Sequence, residues 1–204
     1  MAATYIPTQD TLRRIRQVQG ITIAWMSLEA SLSLWTAWSA HSPALAAFGG
    51  DSAIELLSAV VVLWRFRHPA SENAEKRAAR ITGGLLFVLA ASVSLVAAMS
   101  LLGYSEPKPS YLGMAVLLAA LLIMPLLARE KRRLSAATGS AALRADAAES
   151  ALCAYLSLIA LVGLAVEAIW HVRWADPIAA LAITPLILRE ARESMRGKAC
   201  GCCN

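Results

Sequence analysis

Charge is scarce in this chain of 204 residues: Asp, Glu, Lys and Arg make up 16%, against 58% hydrophobic residues. Mean hydropathy is +0.56, too apolar for a soluble domain of this size. Histidine is nearly absent, with three in all. Neither Ser52 nor Ser58 has a histidine in the same apolar segments, so no nucleophile and base pair stands at the spacing an intramembrane enzyme needs. No cleavable leader is expected from residues 1–18, which are polar, carry Arg13, Arg14 and Arg16, and have neither an apolar core nor a small-residue cleavage site. The expectation is an all-α integral membrane protein whose first span is its own insertion signal.

A bilayer core of roughly 30 Å needs about 20 apolar residues per helix. That criterion predicts six transmembrane helices, near residues 19–40, 44–66, 79–103, 111–128, 147–170 and 175–190. The breaks are turn-like: Ala40-His41-Ser42-Pro43, the connector opening at Arg67-His68-Pro69, and Ser105-Glu106-Pro107-Lys108-Pro109. Ser140 is placed to cap the fifth helix after Gly139. The organisation expected is a polar N-terminal segment (1–18), a transport-sized helical unit (19–196) and a Cys-rich tail (197–204).

Most basic residues, including Arg65, Arg67, Lys76, Arg77, Arg129, Lys131, Arg132, Arg133, Arg189 and Arg192, fall on one side of the six-span arrangement. Lys108 and Arg173 fall on the other. Retention of Lys and Arg in the cytoplasm puts both termini there, in a plasma (inner) membrane protein. Topology and anionic lipid then account for the net charge of +5 without any nucleic acid partner.

Against this background the intramembrane carboxylates stand out, since each costs on the order of 3 kcal/mol near the bilayer centre. Asp51 and Glu55 are four apart on helix two. Asp146, Glu149, Ser150 and Cys153 repeat at helical spacing on helix five. Two polar stripes on different helices point to a cation in transit, although buried carboxylates also serve as interhelical hydrogen-bond partners. A thiolate beside carboxylates suits Zn²⁺, Cd²⁺ or Co²⁺, whereas carboxylates alone favour Mg²⁺, Ca²⁺ or Mn²⁺; the reading here is zinc or a similar transition metal. Thiol and carboxyl ligands lose protons to bind and regain them on release, which provides for metal/proton antiport.

The segment 47–59, AFGGDSAIELLSA, resembles the second-helix motif of the cation diffusion facilitator family, with two ligands four apart. The segment 145–153, ADAAESALC, is similar to that family's fifth-helix motif, with Glu149 and Cys153 at the positions usually held by His and Asp. The segment 174–180, WADPIAA, resembles the start of its sixth helix. The resemblance covers most of residues 19–196. It implies a homodimeric metal exporter that alternates between inward- and outward-facing states and is driven by proton entry. About a dozen residues follow helix six, so it also implies a short branch without the family's usual cytoplasmic metal-sensing domain.

Lesser candidates keep two readings each. Glu29 lies mid-span on helix one, either in the ion path or in a structural hydrogen bond. Glu167, near the outer end of helix five, is expected to meet water or headgroups. His41 and His171 are expected in solvated loops, and Trp35, Trp38, Trp64, Trp170 and Trp174 as interfacial anchors. Small residues of helix three, Gly83, Gly84, Ala90, Ser94 and Ala98, are candidates for an interface between copies. Cys200, Cys202 and Cys203 suit transient capture of a soft metal, lipidation, or no role. Two other functions stay open: a membrane metal or redox sensor, and a passive divalent-metal channel.

Overall fold

The computed structural model describes residues 9–67, 72–104, 106–138 and 141–195. Their regular structure is α-helix throughout: α1 (Gln9–Ala40), α2 (Pro43–Arg67), α3 (Glu72–Leu101), α4 (Tyr111–Thr138), α5 (Ala141–Trp170) and α6 (Ala175–Met195). Local chemistry sets several boundaries. Ser42 caps α2, its hydroxyl accepting from the Leu45 amide at 3.1 Å, and Pro43 follows in the first helical position, where its missing N–H costs nothing. Ser110 caps α4 in the same way through the Gly113 amide at 3.1 Å. At the end of α3 the chain turns through Gly103 at φ 86°, and the amides of Gly103 and Tyr104 return to the carbonyls of Ser100 and Met99. His41 takes the equivalent left-handed position after α1, at φ 53°, and the Ser42 amide closes that turn on the Ala37 carbonyl.

These turns gather at one end of the molecule. The Lys108 amide donates to the Ala40 carbonyl at 2.8 Å, Arg173 pairs with Glu106, and the Ser42 hydroxyl donates to Asp176 at 2.6 Å. The helices therefore run up and down, with the start of α1 and the end of α6 at the opposite, terminal end. The closest packing pairs α4 with α5, α1 with α2 and α3 with α6, while α2 also touches α3, α5 and α6. Gly163 allows α5 to meet α6: a Cβ there would stand 2.4 Å from the Ala179 Cβ. Pro125 lies inside α4 and Pro185 inside α6, each removing one rung of the helical hydrogen-bond ladder.

The distribution of polarity is that of a bilayer protein. Large apolar side chains such as Ile81, Val88, Leu95, Leu122 and Leu126 are exposed, whereas Gln19, Glu29, Asp51, Glu55, Lys131 and Asp146 are buried. Three helices, Gly83–Leu101, Tyr111–Thr138 and Asp146–Trp170, are long and apolar enough to cross a membrane. In α1 the buried Gln19, Thr22, Glu29, Ser33 and Thr36 face the other helices and lower the mean hydropathy of that segment. Trp35, Trp38, Trp170 and Trp174 are exposed near the turn end, where interfacial anchors belong; the side chain of Trp64 lies outside the described residues.

Several expectations need correction. Helix α4 continues ten residues past 128, to Thr138, and α1 begins at Gln9, because the start of α1, the end of α4 and the start of α5 pack together around Ile15, Val18, Leu134 and Leu143. Lys131 is not a solvated topology charge but fully buried. Glu167 is also buried, with one oxygen lacking a hydrogen bond, so it does not meet water or headgroups. Gly83 and Ala90 of α3 are spent inside the chain: a Cβ at Gly83 would press on Met195 and Ala191 of α6, and Ala90 belongs to the core.

Candidate cation site

Helix α2 supplies the site's first wall. Asp51 and Glu55 are one turn apart, so they share a face, and that face turns inward because the opposite one carries exposed Leu57 and Val60. Asp51 is 6% and Glu55 4% exposed. They line a narrow cavity together with Ile54, Leu86 of α3, Glu149 of α5 and Glu190 of α6. Four carboxylates from three helices thus face one small space, and among the described residues no Lys or Arg lines it. Its field favours a cation, and its donors are all hard oxygens. Among the described residues, no three His, Cys, Asp or Glu side chains are already drawn together as a finished metal site. A bound ion would have to pull the carboxylates inward.

Toward the terminal end the cavity abuts a buried ionic network. Lys131 Nζ stands 2.9 Å from Asp146 Oδ1 and 3.9 Å from Glu55 Oε1, and it donates to the Ser150 hydroxyl at 2.7 Å. The Ser150 hydroxyl lies 2.7 Å from Glu55 Oε1, which it can serve as donor. Gln19 Nε2 donates to the second oxygen of Asp146 at 2.6 Å. Both Asp146 oxygens are therefore engaged, and Asp146 is not among the cavity walls. Glu55 bridges the two zones, with Oε1 held by the network and Oε2 making no hydrogen bond.

Toward the turn end lies a third polar group. The Ser52 hydroxyl donates to Glu29 Oε1 at 2.7 Å, and the Cys153 thiol donates to the same oxygen at 3.5 Å. All three residues are fully buried, and none lines the cavity.

Of the six intramembrane candidates, the cavity brings together Asp51, Glu55 and Glu149, while Asp146 lies in the network below it and Glu29 and Cys153 in the group above. Cys200, Cys202 and Cys203 lie outside the described residues, as does Ser140, while His41 and His171 are exposed at helix ends. Sequence reasoning passed over Glu190 and Lys131. Both had a signal in helical phase: Ala180, Ile183, Ile187 and Ala191 mark the buried side of α6 beside Glu190. In α4, Met124, Leu127 and Ala128 lead to Lys131 and on to Leu134 and Ser135.

Residues 21–197 match the family described as the cation efflux transmembrane domain. The chain belongs to the cation efflux family. A relative within reach of direct comparison is the manganese efflux system protein MneS of Bacillus subtilis (strain 168), 26% identical over 192 residues that cover 89% of this chain and 66% of that protein. The chain thus spans slightly less than two thirds of the relative's length. Membership brings the carboxylate cavity and the membrane-type distribution of polarity under one description, a transmembrane domain concerned with cations.

Proposed function

We propose that this protein exports a divalent metal ion across the plasma membrane. It would span the bilayer six times with both ends in the cytoplasm, work as a homodimer and move protons in the opposite direction. The observation that carries the reading is the cavity between α2, α3, α5 and α6 walled by Asp51, Glu55, Glu149 and Glu190. An oxygen-only wall favours a hard cation, and with the manganese efflux relative it makes Mn²⁺ the preferred cargo. The carboxylates give up protons when the metal binds and recover them when it leaves, which couples the two fluxes. Alternating access would open the cavity to each side in turn.

Zinc is the second reading, and Cys153 is what favours it. A rotation of α5 that carried the thiol from Glu29 toward Asp51 would add a soft donor to the set. The thiols of Cys200, Cys202 and Cys203 would then act as a capture tail at the cytoplasmic mouth. Proteoliposomes loaded with a metal-sensitive dye separate these readings. Mn²⁺ flux faster than Zn²⁺ flux, and accelerated by an opposing proton gradient, is expected. Flux indifferent to the gradient means a channel, and no flux of any divalent metal leaves the sensor.

A further inference from the structure

Among the described residues Lys131 is the only lysine or arginine that is buried, and its placement goes beyond what an ion pair with Asp146 requires. Asp146 alone balances the ammonium charge at 2.9 Å, with Gln19 closing the other side of that carboxylate. Yet the ammonium ion also reaches toward Glu55 at 3.9 Å, and Ser150, which accepts its hydrogen bond at 2.7 Å, stands 2.7 Å from the same Glu55 oxygen. Glu55 is a wall of the cavity, so the lysine touches the cation site from behind. On the far side the apolar cluster of Ile15, Val18, Leu134 and Leu143 closes the terminal end. The hydrogen-bonding and ionic partners of the Lys131 ammonium ion, Asp146, Ser150 and Glu55, thus all lie on the side of the carboxylates.

Four carboxylates in a low-dielectric cavity repel one another when empty and hold a divalent ion tightly when filled. A transporter needs neither extreme. We propose that Lys131 is a tethered counter-cation: it holds Glu55 in the metal-free protein and competes with the divalent ion for that carboxylate, which limits affinity and speeds release. An arriving ion must draw Glu55 away from Ser150 and the ammonium ion, and on departure both take it back. This rests on the reading of the cavity as a divalent-cation site.

The test is calorimetric titration of Mn²⁺ and, separately, Zn²⁺ into the full chain in lipid nanodiscs. The variants are Lys131→Met/Asp146→Asn, which removes the competitor without stranding a buried charge, and Ser150→Ala, which cuts the link to Glu55. Affinity should tighten in the double variant by about tenfold, a size at the low end of what changes beside metal ligands produce though of opposite sign to the usual loss, and by less in Ser150→Ala. Maximal flux should fall because release slows. Affinity equal to or weaker than wild type in a double variant that unfolds like wild type overturns the proposal. Should that variant not fold, Ser150→Ala decides by the same criterion. No binding of either metal by wild type or any variant removes the cation site itself, and this inference with it.

Discussion

Replacing Lys131 by methionine isolates the energetics of the buried network. The side chain is fully buried and its ammonium ion satisfies Asp146 at 2.9 Å and Ser150 at 2.7 Å. Methionine fills much of the same space but leaves Asp146 with the Gln19 amide at 2.6 Å as the neighbour able to offset its charge. Breaking one half of a buried pair costs about 3–5 kcal/mol, whereas replacing both halves by neutral groups is close to neutral. Lys131→Met should therefore destabilise by about 3–5 kcal/mol, Asp146→Asn by a similar amount, and the double variant by about 1 kcal/mol. The resulting coupling is several kcal/mol, far above the few tenths expected of independent sites. Equilibrium unfolding of the four proteins in one lipid or detergent system measures it. A single variant as stable as wild type, or additive losses in the double variant, would refute the assignment of Lys131 and Asp146 as a buried pair.

Asp51→Ala should abolish Mn²⁺ binding while leaving the unfolding transition unchanged, because it removes a cavity wall and opens no packed core; titration calorimetry alongside a melt checks both. Cys153→Ser should leave Mn²⁺ flux within about twofold of wild type, since the thiol faces Glu29 and not the cavity; a selective loss of Zn²⁺ flux would instead support the zinc reading. Gly163→Leu should cost about 1–3 kcal/mol, because the added Cβ already meets Ala179 at 2.4 Å; thermal unfolding reports it. Metal affinity should rise with pH, since carboxylates are competent ligands only after losing their protons; an affinity flat from pH 5 to pH 8 would speak against proton-coupled binding.

Apolar run length and proline-rich breaks located all six helices, because hydrophobic burial in lipid is written residue by residue along the chain. The ends were less legible. Helices α1 and α4 extend past their apolar runs because Ile15 and Val18 pack on Leu134 and Leu143, a contact between segments more than a hundred residues apart. Within the site, Asp51, Glu55 and Glu149 were visible as charges amid apolar sequence. Lys131 was hidden by its company, since Arg129, Arg132 and Arg133 around it read as a solvated run. Its burial emerges only when α4 is given a phase. Spacing put Cys153 on the acidic stripe, but which carboxylate it would meet was not legible: its thiol donates to Glu29 of α1, a partner that only the packing of α1 and α5 on α2 selects.

Pro125 and Pro185 bear on how such a bundle moves. Each lacks the N–H that would bond to the carbonyl four residues earlier, at Leu121 and Leu181, so each marks the softest joint in its helix. Lys131 follows its joint by six residues and Glu190 by five. Any bend at these joints would carry Lys131 and Glu190 with it, but it must work against the packing of Leu134 on Ile15, Val18 and Leu143 and of Ala191 and Met195 on Gly83.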